Sequence, residues 1–193
     1  MTQDTRLSQQ LTFLLEADKL KQVLRASPLC DNSRRENSGE HSWHIALFAM
    51  VLADQAGPDV QIDRVIRMLL IHDIVEIDAG DAPIHGKFDV AAQEAKERAA
   101  ADRLFGLLPP DQAVSFRALW DEFEAATTPD AVFAKSIDRV QPLLLNESSG
   151  GGSWTEYNVT LDQIDSRVGV KVAKGAPKLW TFVRARIAPF FSR

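Results

Sequence analysis

Apolar residues recur every three or four positions through most of this chain, and the breaks in that rhythm divide it into segments of helical length. Leu11, Leu14, Leu15, Ala17 and Leu20 set a first amphipathic helix from Gln9 to about Leu24, with Pro28 beyond its end. The polar, turn-rich stretch 29–40 then reads as a loop. Asn37 or Ser38 caps a second helix, in which His41, Ile45, Phe48 and Leu52 share one face. Gly57-Pro58 stops that helix after Ala56, and Asp59 caps a third. There Ile62, Val65, Ile66, Leu69 and Leu70 form one stripe. At about 100° per residue, Asp73 falls roughly 20° from the stripe's centre and Glu76 on its edge.

The rhythm breaks at Gly80-Asp81-Ala82-Pro83-Ile84-His85-Gly86-Lys87, an ordered loop of the kind that carries binding groups. Ala91 to Leu107 is a helix with a solvated face. Pro109-Pro110-Asp111 opens another helix through Phe116, Leu119, Trp120 and Phe123. Thr128 as cap and Pro129 at the first position start the next, which holds Phe133, Ile137, Asp138, Val140 and Leu144. Asp138 lies roughly 140° from Phe133, so phase alone does not single it out. Its segment is apolar on most sides, which keeps it a candidate. The Gly-rich stretch 148–153 reads as a surface loop, with Trp154, Glu156 and Tyr157 bordering a site, and helices over about 160–171 and 176–187 close the chain. No alternating strand pattern occurs. The expected fold is all-α, a bundle of about eight helices.

Composition narrows this picture little. A chain of 193 residues, 45% hydrophobic and 25% charged, suits a single domain over 1–193 with one core. A net charge of -5 gives no electrostatic footprint for a nucleic acid polymer. Small anionic substrates remain open if a cation or a local arginine supplies positive charge. One cysteine, Cys30, allows no internal disulfide, no signal-type segment leads the chain, and the apolar run 65–71 is too short to span a bilayer. The expected location is the cytoplasm, away from membranes.

Candidate chemistry starts at His72-Asp73, an imidazole and a carboxylate side by side in an apolar segment, a donor mixture that suits a divalent metal. Burying an unpaired carboxylate costs several kcal/mol, so the fold must supply a cation, hydrogen bonds or a raised pKa. His41 brings a second inward-facing donor from another helix. His44, one turn later, is either an additional ligand or substrate contact, or a ring packed beside Trp43. Of the loop arginines Arg34 and Arg35, Arg35 is placed to reach an anionic substrate.

The order His41, His72-Asp73, Asp138 resembles the HD-domain metal-dependent phosphohydrolases, whose H…HD…D pattern supplies four ligands from three helices. The segments Glu36-Asn37-Ser38-Gly39-Glu40-His41-Ser42, His72-Asp73-Ile74-Val75-Glu76 with Gly80-Asp81, and Ile137-Asp138-Arg139 are similar to those of the 5′-deoxynucleotidase branch, over about residues 8–146. The resemblance implies one divalent cation (Mn, Co, Fe, Zn or Mg) held by His41, His72, Asp73 and Asp138, within a metal-site core of about 36–146. It implies Glu76 and Asp81 as catalytic carboxylates, and Arg35, His41, Asp81 and Lys87 as substrate contacts. The implied reaction is phosphate release from (deoxy)nucleoside 5′-monophosphates by a metal-activated water. The alternatives are hydrolysis of a signalling nucleotide and a catalytically weak nucleotide-binding protein. Spare carboxylates beside the ligands speak against a purely structural metal. A homodimer is implied too, with Phe182, Phe190 and Phe191 as candidate interface residues. One departure stands out: the bacterial deoxynucleotidases carry Arg-Trp before the proline at Pro28, where this chain has Ala26-Ser27, leaving Arg25, Arg34 or Arg35 to take the arginine's place.

Overall fold

The computed structural model describes residues 3–86 and 88–192, and Lys87 lies outside them. Its elements run α1 (Gln3–Ala17), β1 (Leu24–Pro28), β2 (Arg35–Asn37), α2 (Ser38–Val51), α3 (Ile62–Ile71), α4 (Glu76–Ala79), α5 (Val90–Phe105), α6 (Pro110–Ala125) and α7 (Pro129–Ser148), in order. The C-terminal part adds α8 (Gly152–Glu156), α9 (Leu161–Ile164), α10 (Val170–Gly175) and α11 (Pro177–Phe191). The fold is helical, as the periodicity predicts, and its starts follow local chemistry. Asn37 caps α2 through a reciprocal pair, its Oδ1 accepting from Glu40 N at 2.9 Å and its own N–H donating to Glu40 Oε2 at 3.2 Å. Thr128 caps α7, with Pro129 at the first position, where no N–H is needed.

Three expectations are corrected. The first concerns 24–37: β1 and β2 pair antiparallel, Leu24 opposite Asn37 and Pro28 opposite Arg35. Four steps along β1 match two along β2, so the ladder is bulged and carries too little alternation to be read from sequence. The second concerns the helix expected to run unbroken through Glu76. It ends at Ile71, tightens into a 3-10 turn over His72–Val75 and restarts as α4. Val65 and Leu69 of the expected stripe are buried, whereas Leu70 is 47% exposed. The third concerns the Gly-rich segment, which is packed rather than displayed. A Cβ on Gly151 (φ 118°) would collide with Phe190, and one on Gly152 (φ 42°) with Pro28 and Asn146. Trp154, just after it, is buried against Phe190 and Phe191, so these two phenylalanines are half-buried packing residues.

Three apolar clusters surround the middle of the chain. Ile45, Val65, Met68, Leu69, Phe133 and Ile137 join α2, α3 and α7. Phe13, Ile74, Val75, Leu104, Phe105 and Trp120 join α1, the 3-10 turn, α5 and α6. Val140, Leu143, Trp154, Val172, Val183 and Ile187 tie α7 to the C-terminal helices. Helix α7 thus faces apolar neighbours on more than one side, which is why no single stripe marks its inward positions. Among the described residues, no helix is long and apolar enough to cross a membrane.

Candidate metal centre

The 3-10 turn after α3 sets the geometry of the first pair. His72 Nδ1 lies 2.9 Å from the Leu69 carbonyl, so that nitrogen is the protonated donor and Nε2 points into the molecule. Trp120 Nε1–H donates to the His72 carbonyl at 3.1 Å and pins the turn to α6. From α2, His41 enters fully buried, its Nδ1 3.1 Å from Gln141 Oε1 and its Nε2 3.1 Å from Asp138 Oδ1. Donor atoms of His41, His72 and Asp73 all lie within 4.8 Å of one another. Asp138 Oδ1 is 3.7 Å from His72 Nε2 as well as 3.1 Å from His41 Nε2, so the fourth candidate, which phase did not single out, lies beside both histidines. Pro142 inside α7 has no N–H to bond the Asp138 carbonyl.

Two nitrogens and two carboxylates from three elements form a donor set for a divalent cation, and one observation tests the fit directly. His72 Nε2 is buried with no hydrogen-bond partner, although Asp73 Oδ1 lies 2.9 Å away. A buried imidazole nitrogen left without a hydrogen-bond partner is costly unless something else pairs with it. The residues present therefore fit a metal ion.

Around this set lies a shell that the sequence reading only partly anticipated. Arg25, on β1, sends Nη1 to Asp73 Oδ2 at 2.7 Å and stands 3.7 Å from Glu76, 3.8 Å from Asp81 and, through Nε, 3.9 Å from Glu36. Gln141, fully buried, accepts from His41 Nδ1 and donates to Glu36 Oε1 at 2.6 Å, which fixes the His41 tautomer with Nε2 free for a metal. Neither Glu36 nor Gln141 was singled out from sequence, since a buried amide one turn past Asp138 has no compositional mark. His44 takes up the other reading: its ring stacks on Trp43, and its Nδ1 lies 3.1 Å from Gln141 Nε2.

Charge is unevenly distributed here. Burial first, then the neighbouring charges of Asp73 and Asp81, push the Glu76 carboxyl well above the usual carboxylate range. Asp81 shifts the same way, again led by burial. Burial opposes the charge on His72, yet Asp73 and Asp138 outweigh it and hold this imidazole at about 10. Burial alone would raise Asp138, but Arg139 and the two histidines keep it well below its ordinary value.

Two cavities meet at this cluster. One, of about 190 Å³, is lined by His72, Asp73, Glu76, Asp81, Asp138 and Arg139, among others. The second, of about 80 Å³, shares Arg25, Asp81 and Arg139 with the first and extends between His85, Trp154 and Tyr157. Burial, then the charges of Arg167 and Arg139, lower His85 to about 4. His41, fully buried, lines neither cavity. Arg35 lines neither as well: at 45% side-chain exposure it pairs with Glu156 at 2.8 Å, while Arg34 pairs with Glu40. Of the three arginines considered for the anion, only Arg25 reaches the centre.

The HD-domain family model matches residues 17–180. A crystal structure of a predicted metal-dependent phosphohydrolase from Magnetospirillum magnetotacticum MS-1 is 51% identical, with a TM-score of 0.90 over 96% of this chain and 95% of that one. The human protein named 5′-deoxynucleotidase HDDC2 is 30% identical over 135 residues, 69% of this chain and 65% of its own length. The aligned stretch thus falls just short of two thirds of that relative. The Photorhabdus laumondii protein named 5′-deoxynucleotidase plu3092 is 29% identical over 79% of this chain and 81% of its own. With the family model covering most of its length and the His-His-Asp cluster in place, the chain belongs to the HD-domain family.

Proposed function

We propose that this protein is a metal-dependent phosphomonoesterase that releases phosphate from nucleoside 5′-monophosphates, deoxyribonucleotides among them. The observation that carries the reading is the convergence of His41, His72, Asp73 and Asp138 around a buried, unpartnered imidazole nitrogen. The names of the human and Photorhabdus relatives support the substrate class. A single divalent cation would be held by those four residues, and when bound it supplies Lewis acidity toward a phosphoryl oxygen and makes a nearby water more acidic. The protein's own groups do the rest. Gln141 and Glu36 orient His41, and Arg25 offsets the repulsion among Asp73, Glu76 and Asp81. Glu76, held by Ser38 Oγ–H at 2.5 Å, has its affinity for protons raised by burial and the neighbouring carboxylates and serves as the group that takes and returns a proton. Asp81, on the wall shared by the two cavities, positions the substrate or its water. Lys87 remains a proposed substrate contact on resemblance alone.

A homodimer belongs to the same reading. Trp43 and Val51 on α2 and Phe182 on α11 support it, being 62%, 70% and 68% exposed.

Metal-loaded protein offered a panel of nucleoside 5′-monophosphates and cyclic nucleotides, with inorganic phosphate as readout, tests the function. Turnover of the monophosphates is expected. Turnover confined to cyclic nucleotides, or none with the cation bound, overturns it.

Metal binding should also be proton-linked. His72 must give up its proton to become a ligand, and its metal-free pKa of about 10 means that it carries one at neutral pH. Metal affinity is therefore expected to fall about tenfold for each unit that pH drops below that value. Calorimetry in buffers of different ionisation enthalpy should register about one proton released per cation near pH 7. Heats that do not depend on the buffer would contradict this ligand role.

A further inference from the structure

A phosphate dianion entering a cluster of carboxylates needs a positive group that is not already neutralised. Three described cationic side chains line the metal-side cavity. Arg25 is not free, with Asp73, Glu76, Asp81 and Glu36 all within 3.9 Å. Lys135 is engaged as well, hydrogen-bonded to Glu124 at 2.9 Å and lying 3.9 Å above the Phe123 ring.

Arg139 differs from both. Its side chain is 29% exposed, it lines both cavities, and among the described residues its guanidinium makes no hydrogen bond. The Nε–H is buried without a partner, and the nearest carboxylate oxygen, Asp138 Oδ2 at 3.4 Å, gives an ion pair without hydrogen-bond geometry. Sequence explains why. Residues adjacent on a helix do not face each other, so Asp138 cannot offer Arg139 a two-pronged contact. A fork of five donors is thus held at the wall between two cavities, one residue along from a candidate metal ligand, with its hydrogen-bonding capacity unspent.

We infer that Arg139 is the phosphate anchor of the substrate, donating its guanidinium fork to the phosphoryl oxygens beside the cation, while Arg25 serves the carboxylates. Guanidinium matches phosphate in geometry and charge, and it stays protonated at any working pH. The inference rests on the proposed phosphohydrolase reading for the identity of the anion, but its test does not need turnover.

The probe is inorganic phosphate, titrated by calorimetry into manganese-loaded wild type, Arg139→Gln and Arg139→Lys, with manganese affinity and melting temperature measured on the same samples. Arg139→Gln is expected to weaken phosphate binding about 10- to 100-fold while manganese affinity stays within about threefold. Arg139→Lys is expected to recover part of the loss, having the charge without the fork. Unchanged phosphate affinity in Arg139→Gln, or no phosphate binding by the wild type, overturns the inference. So does a loss matched by an equal loss of manganese affinity, which would make Arg139 a support for Asp138 only. Wild type that binds phosphate through Arg139 but hydrolyses no monoester would remove the proposed activity and leave the anchor. Hydrolysis with phosphate affinity unaltered in Arg139→Gln would do the reverse.

Discussion

Asp138→Ala is expected to weaken cation binding by more than about 100-fold and to abolish measurable phosphate release, because loss of even an outer partner of a metal ligand costs 10–100-fold. The residue is 6% exposed, lies 3.1 Å from His41 Nε2 and 3.7 Å from His72 Nε2, and carries a carboxyl held ionised by Arg139 and both imidazoles. Its removal takes the only α7 donor from the proposed set and leaves His41, His72 and Asp73 as a weaker, three-ligand site. Metal content after dialysis, measured beside turnover, checks this. A variant with a full complement of metal and wild-type turnover would remove Asp138 from the site. Asp138→Asn keeps the shape and loses the charge, so a similar loss there would separate coordination from packing.

Glu76→Gln should behave in the opposite sense toward the metal. Its carboxyl lines the cavity that contains His72, Asp73 and Asp138 and is hydrogen-bonded by Ser38, and the proposed set of four ligands does not include it. The amide keeps the volume and the contact to Ser38 while losing the ability to exchange a proton. Turnover is expected to fall by about 10²- to 10⁴-fold, with metal content and phosphate affinity near wild type. Steady-state kinetics alongside metal analysis reads both. An unchanged rate would remove Glu76 from the proton path, and loss of the cation would make it a ligand instead.

What the sequence revealed of this centre depended on how each residue is buried. His41 and Asp73 sit on a helix, or just past one, that buries one face, so periodicity placed them inward, and His72 was legible as the donor adjacent to Asp73. Asp138 sits on a helix packed on several sides, where phase carries no information, and only family resemblance put it with the others. Arg25 and Glu36 belong to two short, bulged strands, too brief for a period of two to show. Arg35 read as a substrate contact because it precedes His41 in sequence, yet Glu156, distant in sequence, takes it to the surface. The glycines at 150–152 suggested a flexible connector, whereas at least Gly151 and Gly152 serve close packing, a use of glycine that composition cannot separate from flexibility.

The central claim is that two histidines and two aspartates share one cation. Anomalous scattering from manganese-soaked crystals tests it most directly. The account predicts a single peak at roughly 2.0–2.3 Å from the imidazole nitrogens of His41 and His72 and from oxygens of Asp73 and Asp138. A peak that leaves Asp138 or His72 unligated, or none at this cluster at saturating manganese, would contradict it.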